Sequence, residues 1–158
     1  MSELKNVLVA LLCALSDKRS LSVPRLIKSV YLFDWTSVLN FKYEHARLAW
    51  SCGMCGPTCD DVLQTINANP SEFRLLEKDN YIGGKKTVVI SLLEMSRDRL
   101  SETEWKAIEH VARVTRGLPW GELVQLISST MPVVISHYGS PLDLVRAADL
   151  RNRALGRT

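Results

Sequence analysis

Val23-Pro24-Arg25-Leu26-Ile27-Lys28-Ser29-Val30-Tyr31-Leu32-Phe33-Asp34-Trp35 reads as an amphipathic helix. Trp50-Ser51-Cys52-Gly53-Met54-Cys55-Gly56-Pro57-Thr58-Cys59-Asp60-Asp61-Val62 reads as the turn-rich run coupled to it. Ser22 is placed to cap the helix, and Pro24 fits a first turn, where a missing N–H costs nothing. The apolar stripe Val23, Leu26, Ile27, Val30, Phe33 and Val38, with Tyr31 and Trp35 alongside, carries the helix to about Leu39. Asp34 borders that stripe, so its carboxylate needs a hydrogen-bonded or charged partner. Tyr43 to Ser51 reads as extended chain, which Gly56-Pro57 breaks. Thr58 then caps a short helix with Asp60 and Asp61 in its first turn, where the helix dipole favours anions, and Val62, Leu63 and Ile66 on its buried side.

Working outward, Leu4, Val7, Leu8, Leu11, Leu12 and Leu15 form one face of an N-terminal helix over Glu3 to Leu15. Asn69-Pro70 marks a turn. Phe73 to Leu76 and Thr87 to Leu93 are β-rich runs separated by Asp79-Asn80 and Gly83-Gly84, the pattern of a hairpin with a loose tip. Ser101-Glu102-Thr103-Glu104 is a capping box that opens a helix with Trp105, Ile108, Val111, Ala112 and Thr115 on one face and Gly117 as its stop. Pro119 to Ser128 is a further helix with Leu123, Val124, Leu126 and Ile127 inside; Pro132 stops the segment after it. Ser140-Pro141 starts a last helix carrying Leu142, Val145, Asp149 and Leu150. This order predicts an α+β fold: a mainly helical single domain over residues 1–158 with a small antiparallel β element, a hairpin plus one extended segment.

A chain of 158 residues fits one domain, and 46% hydrophobic with 23% charged residues is ordinary for a globular protein. Val7 to Leu15 is apolar but too short for a membrane helix, and without a small-residue cleavage site it does not read as a signal peptide. The expectation is a cytoplasmic protein whose four cysteines are reduced. The net charge of +3 sits in residues 146–158, where Arg146, Arg151, Arg153 and Arg157 face only Asp149. Such a tail can contact nucleic acid or an acidic protein, or it can be a solvated helix end with arginines near the negative pole.

Cys52, Cys55 and Cys59 are soft metal ligands within eight residues, and His45 or Cys13 could complete a tetrahedron. Structural zinc sites pair two separated knuckles, however, and no second CxxC or HxxxH exists, so the cysteines read as small buried hydrophobes and no cofactor is expected. No thioredoxin-like pattern surrounds the CxxC. His45, His110 and His137 are the only histidines; a Cys52–His137 nucleophile pair can be drawn, but no oxyanion-hole signature accompanies it. Gly83-Gly84-Lys85-Lys86 lacks the spacing of a phosphate-binding loop and reads as a hairpin tip. The helices from Ser101 to Ser128 superficially resemble helix-turn-helix, but the second carries only Glu122 as a charged residue, a poor surface for DNA.

Three segments resemble the Panacea antitoxin domain family, also called SocA-like. They are the run Leu26 to Trp35 (Lys28-x-hydrophobic-Tyr31-Leu32-x-Asp34-Trp35), Trp50 with Gly56-Pro57 and Asp60-Asp61-Val62, and the strand Lys86 to Leu92 followed by Leu100 to Ile127 with its Leu-Ser-x-x-Glu opening. The resemblance spans residues 20 to 130. The chain departs from the family where Cys55 stands in place of the usual aromatic before Gly56-Pro57. Ser128-Ser129-Thr130-Met131-Pro132 also lacks the family's His and Trp. The resemblance implies a non-enzymatic protein that binds and neutralises a cognate toxin, often from an adjacent gene on a phage or mobile element. It does so by direct occlusion or as an adaptor that delivers the toxin to a protease. On this reading Tyr31, Asp34, Trp35, Trp50, Asp60 and Asp61 are the candidate partner contacts, and the alternative that the aromatics are core stands beside it. A nucleic-acid-binding regulator acting through the basic tail is the second reading.

Overall fold

The computed structural model describes residues 2–42, 46–80 and 82–157. Its centre is a helix, α2 (Val23–Phe41), in which every residue from Lys28 to Val38 is buried. The sequence shows one apolar stripe, but the structure surrounds the helix with α1 (Leu4–Leu15), α4 (Glu102–Thr115), α5 (Trp120–Ser128) and α7 (Leu144–Ala154). A helix buried on all sides must satisfy its polar side chains internally. Ser29 and Ser37 do so by donating to the carbonyls of Arg25 and Phe33, one turn back. Ser22 caps the helix by accepting from the Arg25 N–H, with Pro24 in the first turn, and Lys42 ends it in the left-handed conformation. The core gathers Leu8, Leu11, Leu12, Leu26, Phe33, Ile108, Leu123, Ile127 and Leu144 into one cluster.

Two small antiparallel sheets flank this bundle. In the first, β4 (Phe73–Asp79) and β5 (Lys85–Ser91) form the expected hairpin, and β1 (Ser20–Ser22) adds to the other side of β5, giving the order β1-β5-β4. β1 is the third strand that the sequence does not announce. Three residues carry no period, and Ser22 ends the strand while it caps α2. In the second sheet, β2 (Ser51–Gly53) and β3 (Gly56–Thr58) pair around a two-residue turn, so Gly56-Pro57 lies in a strand rather than breaking one. Gly56 has φ of +100°, and at Gly53 a Cβ would meet Gly56 O at 3.1 Å and Thr58 Cγ2 at 3.2 Å. Gly56 therefore favours glycine through its backbone, and Gly53 through the tight space around it.

Pairing of Thr58 with Ser51 removes it from the cap of α3 (Asp61–Ala68). Asp60 takes the cap position without a side-chain bond, and Asp61 is the first helical residue. Leu63 is half exposed, so Val62 and Ile66 alone form the buried side of α3. The capping box of α4 forms as read: Ser101 Oγ accepts from the Glu104 N–H while Glu104 Oε1 accepts from the Ser101 N–H. Pro132 does not stop a segment but sits in the first turn of α6 (Met131–Val134), where its missing N–H is harmless. α7 begins at Leu144 under an Asp143 cap, because Ser140 to Leu142 are held against β2 and Trp50. The fold is the mainly helical α+β domain the sequence predicts. No helix among the described residues is long and apolar enough to cross a membrane.

Candidate functional site

The residues proposed as partner contacts fall into two groups. Tyr31, Asp34, Trp35 and Trp50 are interior, each no more than 6% exposed. They form a lock rather than a surface, which corrects their assignment as anchors. The Asp34 carboxylate accepts from the N–H groups of Arg47 at 2.7 Å and Leu48 at 3.1 Å, and from Trp50 Nε1 at 2.8 Å. One acidic side chain on α2 thus ties down the chain that leads into β2. Trp50 meets Tyr31 edge to face at 5.4 Å, and the Tyr31 hydroxyl shares a 2.7 Å hydrogen bond with Thr130 Oγ1. Burial pushes the Asp34 carboxyl above its usual range, against its three N–H donors and the nearby Arg47 charge. Burial likewise raises the Tyr31 phenol, so it serves as a neutral hydrogen-bonding group.

A second lock lies behind the first. Glu104 Oε2 pairs with Arg47 Nη2 at 2.5 Å, and Oε1 accepts from Ser2 Oγ at 2.6 Å. Arg47 also donates to Ser2 O and stacks over the Phe33 ring. Burial opposes ionisation of Glu104, but hydrogen bonds from Ser2 and Ser101 outweigh it and hold the carboxyl at about 2. Lys28 is the third buried charge. Its Nζ donates to Pro57 O at 2.7 Å and fastens the β2–β3 hairpin to α2, while burial lowers its pKa. The sequence reading names Asp34 but misses Arg47, Glu104 and Lys28 as lock residues, since their partners lie between 29 and 102 residues away.

Asp60 and Asp61 are exposed at the start of α3 and do not join these locks. Cys52 lies in β2, Cys55 in the turn and Cys59 after β3, and all are free. Among the described residues no three His, Cys, Asp or Glu side chains are set to hold a metal, and His45 lies outside them. Cys13 is elsewhere, at the end of α1 beside Leu93 O. Burial raises the Cys59 and Cys13 thiols, which keeps them protonated and poor as ligands or nucleophiles. The His137–Ser140 loop runs along β2 through the Gly139 N–H to Cys52 O bond, but among the described residues no hydrogen bond joins the Cys52 and His137 side chains.

The open feature is a groove of about 800 Å³ where β1 gives way to α2. Its apolar wall is Val23, Leu63 and Trp120, and its basic rim is Arg25, Lys85 and Lys86; among the described residues no aspartate or glutamate lines it. Arg25 Nη1 donates to Leu118 O at 2.9 Å, which fixes the link ahead of α5 and so sets Trp120, 39% exposed, against the opening. At the hairpin tip Asn80 Oδ1 accepts from the N–H groups of Ile82 and Gly84, presenting Lys85 and Lys86 on an ordered turn. The arginines of the C-terminal segment lie apart, on and after α7. Sequence reading dismisses Lys85-Lys86 as a tip. The signal available is a basic pair directly after Gly83-Gly84, together with a tryptophan directly after a proline. Comparison of the chain with protein-family models, with curated proteins and with solved structures finds no match.

Proposed function

We propose that this chain is an antitoxin that binds a protein toxin and blocks it. The resemblance of Lys28–Trp35, Gly56-Pro57 and the Ser101 capping box to the Panacea family supports the reading. The observation that carries it is the groove, an apolar wall with a basic rim and, among the described residues, no acid in its lining. A tryptophan beside an arginine is the composition of an interface centre, where a few such residues dominate the binding energy, and the lysines suit its polar rim. The buried ionisable groups Asp34, Glu104 and Lys28 hold loops in place, so they serve to present a surface rather than to transfer protons. Occlusion is the mechanism this arrangement favours, and delivery of the toxin to a protease is the variant of the same binding step.

The test is co-expression with the adjacent gene. Growth arrest by the neighbour alone, with rescue and copurification when this chain is present, is the expected result. A harmless neighbour that does not copurify refutes the reading. Toxin half-life separates the two mechanisms, because occlusion leaves it unchanged or longer and delivery shortens it.

A further inference from the structure

We infer that two copies of this chain pair about a two-fold axis through an uncharged face, built from the β2–β3 hairpin, residues 139–142 and α6. Two stretches of the sequence, 48–59 and 123–142, carry no lysine, arginine, aspartate or glutamate, although 23% of the chain is charged. The fold lays these two stretches together. Cys52 donates its N–H to Ser140 O at 2.9 Å, Gly139 donates to Cys52 O at 2.8 Å, and Leu142 donates to Trp50 O at 2.9 Å. Residues 139–142 thus run along one side of β2 while β3 runs along the other. The Met54-Cys55 turn and Tyr138 come to the same end of this small ladder, and α6 leads into it through Ile135. Four large apolar residues stand open there. Met54 is 88% exposed, Tyr138 73%, Val134 63% and Ile135 40%. None is more than five residues of chain from the Cys52–Gly139 junction, a reach of about 17 Å at most.

At these exposures the four residues leave on the order of 500 Å² open, the size of the largest apolar patch on a typical monomer. Exposed, uncharged Ser51, Cys55, His137 and Pro141 widen the patch towards the roughly 800 Å² a side that a stable pair covers. Absence of charge, with methionine and tyrosine at the centre, is the composition of an interface core. The occupant that fits is a second copy. A face of one charge repels its own image, whereas this face meets its image with no like-charge contact and no buried unpaired ion. It offers no ion with which to select a charged partner, and the chain itself supplies the matching surface at equal concentration. A two-fold contact also closes on itself, so each patch is used once and no further copy is recruited. The groove stays open in such a dimer. It lies at Trp120, where α5 begins, and α6 follows the other end of α5. Pairing and toxin binding are therefore separate properties, tested separately.

The experiment is sedimentation equilibrium of the full chain across a concentration series. The chain is expected to be a dimer at about 100 µM that dissociates on dilution, with a Kd on the order of 1–10 µM. The Val134→Glu, Tyr138→Glu double variant is expected to weaken pairing at least about a hundredfold, because a two-fold contact counts each substitution twice. Its far-UV circular dichroism should be unchanged, since both side chains are exposed. Ile82→Glu, on the exposed tip of the β4–β5 hairpin, should pair like the parent and serves as the control. Raising salt from about 0.05 to 1 M should leave the dimer intact, since no ion pair crosses the face. A monomer at about 100 µM, oligomers that keep growing with concentration, a dimer that survives the double substitution, or one that salt dissociates each overturns the inference.

Discussion

Glu104 is the residue on which the acid behaviour of the fold turns. Its carboxyl sits at about 2 in the folded chain against 4.5 as a free side chain. The stabilisation is therefore complete above 4.5 and is lost as pH falls from 4.5 towards 2, up to ~3 kcal/mol. Asp34 has the opposite sign. Its folded value is raised, so its contribution is greatest below 3.8 and declines as pH rises through the raised value. Glu104→Gln leaves Arg47 buried without a counter-charge and is expected to cost ~3 kcal/mol or more, seen as a lower urea midpoint and a flatter acid limb. Asp34→Ala removes the acceptor for three N–H groups and is expected to cost ~3 kcal/mol and to shift tryptophan emission to the red as Trp50 loosens. If the proposed partner docks in the groove, Trp120→Ala weakens that binding by ~2 kcal/mol, about thirtyfold, while leaving the urea midpoint nearly unchanged, because the ring sits at the groove rather than in the core.

At the scale of elements, caps and strained turns decide where each piece begins. Ser101→Ala removes the Oγ half of the capping box, leaves the backbone N–H bond to Glu104 in place, and should cost ~1 kcal/mol, a fall in Tm of a few degrees. Gly56→Ala should cost ~1–2 kcal/mol because φ is +100°. Gly121→Ala, in α5 with open space around it, should stabilise by ~0.5 kcal/mol and serves as its control in the same thermal melts. These elements were readable in the sequence to different degrees. The helices α2 and α4 are legible because a stripe and a cap coincide in each, and α1 is legible from its stripe alone. β1 and the β2–β3 pair were not, because three-residue strands owe their existence to partners far away. The same holds for the candidate site. Asp34 was noticed as a misplaced charge on an apolar face, whereas the groove is assembled from α2, α3, β5 and the link to α5 and has no local signature. Trp50 stands in a segment without helical periodicity, so its burial against Tyr31 has no local signature either.

At the scale of the whole molecule, α7 is structural before it is basic. Leu144, Ala147 and Ala148 are buried, and the helix packs on α2 and α6. Removing residues 144–158 is expected to lower the melting temperature sharply, whereas removing 155–158 should shift it by no more than about 2 °C. A test of nucleic-acid binding by the tail therefore calls for charge substitutions at Arg153 and Arg157 rather than truncation. The bond from Ser2 to Glu104 spans 102 residues of chain. During synthesis at about 5–20 residues per second, those 102 residues take roughly 5–20 s to follow. For that interval Ser2 lacks its carboxylate partner, and the face of α1 destined for α4 stays uncovered. A chain that stops short of Glu104 leaves that face uncovered for good, and cellular proteases would clear such fragments while sparing the folded domain.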